Sequence, residues 1–252
     1  MEIAGSTPLV TGGNRGIGEA FVRAFLEAGA KRVYVGTRTA GGAKHLVDAA
    51  PGRVVEVVLD ITQGAQVEAA AARCSDVDIL VNNAGVFANT RLFGTPNIDA
   101  AREEMEVNYF GTLRMCRAFA LVLGRNGGGA IANVLSSGAI VSVPAMGGYS
   151  PSKFAGRALA TIVRAELAAQ GTSVSALIVG SVDTRMASHV QGKKEAPETI
   201  AAAGLRAIRE GVKEVDTDEF AVGVRAAMER APERLEASLA RMLGEEVVST
   251  GR

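Results

Sequence analysis

The sequence predicts an α/β fold: a mostly parallel sheet, doubly wound, with helices on both faces, in a single domain spanning 1–252. Three observations carry this. Short runs rich in Val, Ile and Leu alternate with longer segments of helical periodicity. Most of these runs, among them VVEVVL, ILV and VSALIV, are apolar on both faces, which suits strands of a parallel sheet covered by helices on either side. No composition shift, repeat or low-complexity tract marks a linker, so strands and helices join through right-handed crossovers in one unit.

The elements follow in order. A strand at 7–11 has Pro8 near its head, where the missing N–H is tolerated. Ile17, Ala20, Phe21, Ala24, Phe25 and Ala28 recur at spacings of three and four, and Gly29 stops that helix. Strands at 32–37 and 53–60, a helix at 62–73 and a strand at 78–82 come next. A helical pattern at about 98–123, in two pieces, leads to strands at 130–136 and 172–179 with a helix at 149–169 between them. The last quarter reads as helices at 196–209, 218–230 and 232–243. The sheet core thus covers about 5–185, and a helical substrate lid with C-terminal helices covers about 186–252.

Bulk chemistry excludes several functions. Lys and Arg number 27, as do Asp and Glu. There is no basic excess to bind nucleic acid or an acidic membrane surface. Cys74 and Cys116 are too few and too far apart for a disulfide framework, and a reduced, cytoplasmic protein is expected. His45 and His189, also far apart, supply neither a metal site nor a Ser-His-Asp triad. The first residues lack a basic segment followed by an apolar one, and no apolar run approaches the about 20 residues of a membrane span.

The first strand runs into TGGNRGIG at 11–18. Glycines there let the chain turn tightly and let a pyrophosphate approach the main chain, while the following helix aims free N–H groups at it. Further on, YSPSK at 149–153 places a tyrosine and a lysine four residues apart across a proline. Proline is tolerated in a first helical turn, so the helix begins at about Tyr149, and residues four apart share a face. A free tyrosine titrates near pH 10; bringing it to about 7 needs about 4 kcal/mol at 1.36 kcal/mol per unit. Lys153, the helix N-terminus and a positively charged oxidised nicotinamide together are expected to supply it.

The glycine turn reads TGxxxGxG. Asp60 follows the third strand, NNAG occupies 82–85, Asn108 lies in VNYFGT, and Ser136, in NVLSSG, stands thirteen residues before Tyr149. Over about 5–185 the chain resembles the short-chain dehydrogenase/reductase family, in its compact single-domain branch with a Rossmann-like fold. The resemblance implies a nicotinamide cofactor held by Gly12, Asn14, Arg15, Gly16, Ile17 and Gly18 at the phosphates. It further implies Asp60 and Ile61 at the adenine, Asn83, Ala84 and Gly85 along a ribose, and Gly180, Val182 and Thr184 near the nicotinamide. Tyr149 is implied as general acid and base. Lys153 lowers its pKa and holds the ribose, Ser136 orients the substrate oxygen, and Asn108 anchors a water relaying protons from Lys153.

Cofactor choice follows from 33–39, VYVGTRT. An acid at the end of this strand would accept the ribose hydroxyls of NAD. Thr37 stands there instead and Arg38 follows; with Arg15 it can grip a 2′-phosphate, which favours NADP(H) over NAD(H). Ala139, Ile140, Val141, Val143, Met146, Val182 and Met186 suit a neutral, hydrophobic carbonyl or alcohol. The polar stretch 186–199 is expected to be a mobile lid. Relatives often end in a seventh strand and a glycine-rich tail that builds a tetramer contact; LGEEVVSTGR departs from this, and a homo-oligomer, as a dimer through the helices of Asn108 and Tyr149 or a tetramer, is expected. The alternative is a non-catalytic NADP(H)-binding redox sensor or regulator. The full set Asn108, Ser136, Tyr149 and Lys153 weighs against it, and the 252-residue length weighs against an epimerase or dehydratase with a separate substrate domain.

Overall fold

Each apolar run becomes a strand whose alternate residues feed two different cores. The computed structural model of the chain describes residues 1–243. Its strands are β1 (Pro8–Thr11), β2 (Val33–Thr37), β3 (Val54–Val58), β4 (Ile79–Asn82), β5 (Gly129–Val134), β6 (Thr172–Ile178) and β7 (Glu214–Asp216). All neighbours pair in parallel, in the order β3-β2-β1-β4-β5-β6-β7. In β5, Ala130, Ala132 and Val134 enter one core and Ile131 the other.

The first core packs α1 (Gly16–Glu27), α2 (Lys44–Ala49) and α7 (Pro197–Glu210) on one face, through Phe21, Phe25, Leu46, Ile200 and Ile208. The second packs α3 (Gly64–Arg73), α5 (Thr112–Arg125) and α6 (Tyr149–Glu166) on the other, through Val67, Met115, Phe119 and Leu159. Phe21, Phe25 and Phe119 are fully buried, each contributing about 1.5–3 kcal/mol by leaving water. α4 (Asp99–Met105) precedes α5, and α8 (Glu219–Arg230) and α9 (Pro232–Ala240) close the described chain.

The strand order reverses between β1 and β4, so a crevice opens beyond the carboxyl ends of the central strands. That is where the glycine turn, the NNAG segment and Ser136 lie.

The structure adds what the pattern hid. β7 is three residues, EVD, partly exposed, and α2 is six; neither is long enough to show a period. The predicted 53–60 strand is trimmed to Val54–Val58; at its head the Arg53 guanidinium donates to Leu26 O and Ala30 O, both at 2.9 Å, while its carbonyl accepts from Val33 N at 2.8 Å. Pro8 is the first residue of β1. The 98–123 pattern is α4 and α5 joined by a π-helical turn, Glu106–Gly111. The seventh strand lies before α8 rather than at the chain end, and the remark on LGEEVVSTGR falls on residues 244–252, outside the described residues. Among the described residues no helix is long and apolar enough to cross a membrane.

Candidate active site

The turn after β1 is shaped by its glycines. Gly12 and Gly16 have φ of 60° and 53°, a region side chains disfavour. A Cβ on Gly18 would lie 2.3 Å from Gly12 O, so α1 packs directly on the turn. Asn83 fixes the other wall: its Nδ2 donates to Thr11 O at 3.0 Å and Gly12 O at 3.1 Å, tying β4 to β1. Asn14 Nδ2 reaches Gly42 O at 3.4 Å.

Three exposed guanidiniums surround this turn. Arg15 is held below its ordinary pKa by partial burial and by repulsion from Arg185 and Arg38. Among the described residues none of the three has an acidic partner. Arg185 arrives from a 3₁₀ turn, Arg185–Ala187, directly after Thr184, whose side chain lies against Gly16.

The end of β2 differs from expectation. The Thr37 hydroxyl is buried, within hydrogen-bonding distance of Thr39 O (2.9 Å) and Glu56 Oε1 (3.0 Å). It turns into the protein, so the solvent-facing position there belongs to Arg38. Glu56, from β3, is the carboxylate of this corner, and it also accepts from Gly41 N at 2.9 Å and Ala43 N at 2.8 Å. Burial alone would raise its pKa; these N–H groups and the Thr37 hydroxyl hold it low. A carboxylate so engaged shapes the 39–43 loop and offers little to a ribose.

At the opposite side of the crevice, α6 begins at Tyr149 with Pro151 inside its first turn. Ser136, extended just after β5, accepts from Gly138 N at 3.0 Å and stands beside the Tyr149 side chain. Lys153 is buried; its Nζ donates to Val134 O at 3.1 Å and sits 5.4 Å from the Tyr149 ring centroid. Asn108, rotated inward by the π-helical turn, donates to Val86 O (3.0 Å) and Ser152 Oγ (2.9 Å) and accepts from Val86 N (2.9 Å). Both amide hydrogens are committed, which makes the Asn108 side chain a clamp on Val86 and Ser152.

Burial dominates the protonation of this pair. Burial pushes the Tyr149 phenol up to about 12; the Ser136 hydrogen bond opposes this and the nearby Glu104 adds to it. Burial pushes Lys153 down to about 8. Desolvation is the largest influence on both groups.

The profile of the short chain dehydrogenase family matches residues 6–195. The chain belongs to the short-chain dehydrogenase/reductase family. A galactitol 2-dehydrogenase (L-tagatose-forming) of Cereibacter sphaeroides is 34% identical over 79% of this chain and 80% of its own. A short-chain dehydrogenase from Burkholderia cenocepacia, solved in complex with NADP, superimposes with a TM-score of 0.89 at 40% identity, covering 95% of this chain and 99% of that one. A family member from Burkholderia phymatum, solved with NAD, superimposes at 0.82 with 25% identity, over 94% and 96%. As a short-chain dehydrogenase/reductase the protein is an oxidoreductase that binds a nicotinamide cofactor and acts on a small molecule.

The remaining predicted residues of this short-chain dehydrogenase/reductase are placed as follows. Asp60 Oδ1 accepts from Thr62 N (2.9 Å) and Thr62 Oγ1 (2.7 Å). Ile61 and Val182 are buried in the cores, so only their main chain can face a ligand. Ala84 meets Gly12, and Gly85 lies beside Asn108 Oδ1 and Lys153 Nζ. Gly180 N donates to Asp218 Oδ2 at 2.7 Å, and a Cβ at 180 would strike Asp218 and Phe220; this glycine serves packing against α8. Ala139 and Ile140 also join the core, leaving Val143, Met146 and Met186 as the partly exposed apolar wall. The expected lid is pinned at its neck: Asp183 N donates to Glu195 O and Glu195 N to Ser181 O, both at 2.8 Å. Beyond that neck the His189 ring lies 5.3 Å from Phe87, whose ring lies 5.0 Å from Tyr149.

Sequence reasoning missed Glu56, Phe87, Glu104 and Arg185. Glu104 alone left a local trace, standing one helical turn before Asn108 on the same face.

Proposed function

We propose that the protein is an NADP(H)-dependent oxidoreductase interconverting a neutral, hydrophobic carbonyl compound and its alcohol, with Tyr149 as the proton-transfer group. One observation carries the reading: the Tyr149 and Ser136 side chains stand together in a cleft beside a buried lysine whose only hydrogen bond, among the described residues, is to Val134 O. A buried ammonium with unused donors is costly unless a ligand accepts them; two ribose hydroxyls have the chemistry to do so.

The phosphate end fits as well. Arg15, Arg38 and Arg185 converge without acidic partners, which suits the extra charge of a 2′-phosphate. When bound, the nicotinamide supplies or accepts a hydride. In reduction Tyr149 donates its proton to the carbonyl oxygen, the role its raised pKa supports. Ser136 holds that oxygen, and Asn108 keeps Val86 and Ser152 in place around it. In oxidation the phenolate form is needed, and the positive nicotinamide and Lys153 favour it. The segment 186–199 serves as the substrate lid.

Phe110, Leu121, Phe154 and Ile162 are exposed along the outer faces of the π-helical turn, α5 and α6. They support a homodimer formed through these helices; Ile162→Lys should shift it to monomer in light scattering, and an unchanged mass argues against that face. Cys74 and Cys116 are buried and free, their thiols pushed up to about 12 by burial, as suits a reducing cytoplasm.

The test is turnover of a panel of neutral ketones, aldehydes and alcohols, followed by NADPH absorbance. Tyr149→Phe should lower kcat/KM by about 10²–10⁴-fold while NADPH affinity stays within about threefold. Wild-type turnover in that variant removes Tyr149 from the mechanism.

A further inference from the structure

The helix leading to Asn108 carries a second buried polar side chain one turn earlier, Glu104, only 1% exposed. Its Oε1 accepts from Ala88 N at 2.8 Å. Its Oε2 is buried with no hydrogen-bond partner. That oxygen lies against Gly148, at the start of α6: a Cβ there would stand 2.7 Å from it. Any larger residue at 148 would push the carboxyl away.

The surroundings contain no cation to pair with it among the described residues. Glu103 on its own helix repels it. From α6 it faces Tyr149, with Lys153 turned to Val134 O. Glu106 on the π-helical turn is held by Arg114 at 2.6 Å, and residues 86–90 contain no ionisable side chain. A buried carboxyl with one hydrogen bond costs stability, so its retention asks for a role.

That role follows from what it holds. Asn108 fastens Val86 by both main-chain groups, and Glu104 fastens Ala88 by its N–H. Between the two fastened residues, Phe87 projects onto the Tyr149 ring at 5.0 Å. Immediately afterwards the chain turns away at Asn89, the one described non-glycine residue with positive φ, 53°. We propose that Glu104 is a positioning residue of the catalytic centre: through Ala88 it fixes Phe87 as the wall that sets the Tyr149 ring and the substrate beside it. When ionised, its carboxylate also opposes formation of the phenolate, the same sign as burial. This rests on Tyr149 as the proton-transfer group.

Glu104→Gln keeps an acceptor for Ala88 and removes the charge; Glu104→Leu removes both. Amide hydrogen exchange at Ala88, measured on the full chain without substrate, should be protected in the wild type and in Glu104→Gln, and at least about tenfold faster in Glu104→Leu. With a reactive ketone, Glu104→Leu and Phe87→Leu should each raise KM about fivefold to tenfold with a smaller change in kcat, while Glu104→Gln stays within about twofold. The Glu104→Leu/Phe87→Leu double variant should be no worse than Phe87→Leu alone, because one acts through the other. The alkaline limb of kcat/KM against pH should move to lower pH in Glu104→Gln, since loss of a nearby negative charge favours the phenolate. An unprotected Ala88 amide in the wild type, additive losses in the double variant, or a Glu104→Gln enzyme as impaired as Glu104→Leu with an unmoved limb overturns the assignment. If Glu104→Leu does not fold, Ala88 protection in the wild type and the Glu104→Gln limb decide it. Failure of the Tyr149 reading looks different: Tyr149→Phe stays active whatever Ala88 shows.

Discussion

The nucleotide turn and the Tyr149 centre flank one crevice but hold charge in opposite ways. Around the turn, Arg15, Arg38 and Arg185 are exposed and mutually repelling. Water solvates them, so they cost the fold little and attract an anion at a distance. At the centre, Lys153 and Glu104 are buried and Tyr149 is partly so, and burial moves every one of them toward its neutral form. Charge there is expensive, and the fold tolerates it where the reaction needs it. On the proposed reading, binding selectivity and chemistry are carried by groups of opposite solvation.

The largest test of this contrast is Lys153→Met. Turnover should vanish, yet the cofactor-free protein should gain up to about 3 kcal/mol, since the lysine titrates about 2.5 units below its ordinary 10.5. The sign is explicit. Between pH 8 and 10.5 the unfolded chain holds the Lys153 proton and the folded chain has lost it, so wild-type stability relative to Lys153→Met rises with pH across that window. Calorimetry at pH 7 and pH 9.5 measures both effects; a variant less stable than wild type at pH 7 would break the comparison. A smaller effect is expected at the exposed side. Arg38→Asp should shift the NADPH-to-NADH preference by about 10²-fold, with wild-type thermal stability kept. The shift should shrink in high salt; a salt-independent ratio would mean that Arg38 is not a solvated phosphate grip.

What the sequence disclosed follows the same physical divide. Features built from neighbours along the chain were legible: the glycine turn, the helix start at Tyr149 marked by Pro151, and the apolar strands of a parallel sheet. Features assembled by the sheet were not. Arg185 meets Arg15 only because the segment after β6 folds back over the β1 turn. Glu56 reaches Thr37 because β3 lies beside β2, and from the sequence alone Thr37 reads as a residue facing the cofactor. Burial misled in one direction: Tyr149 and Lys153 were recognised by spacing, but spacing carries no desolvation, which decides their protonation here. β7 went unread because three residues hold no period.

The clasp at Ser181, Asp183 and Glu195 carries a consequence for how this scaffold diversifies. Residues 184–194 leave and re-enter the fold through a single pinned gate, so beyond Thr184 and Arg185, which meet the β1 turn, the segment can change length without moving the strands below. Doubling such a loop costs only about 0.6 kcal/mol in closure entropy. On the proposed reading of 186–199 as the substrate lid, new substrate preferences are most readily acquired by exchanging residues 186–194, with the proposed proton-handling residues beneath them left in place.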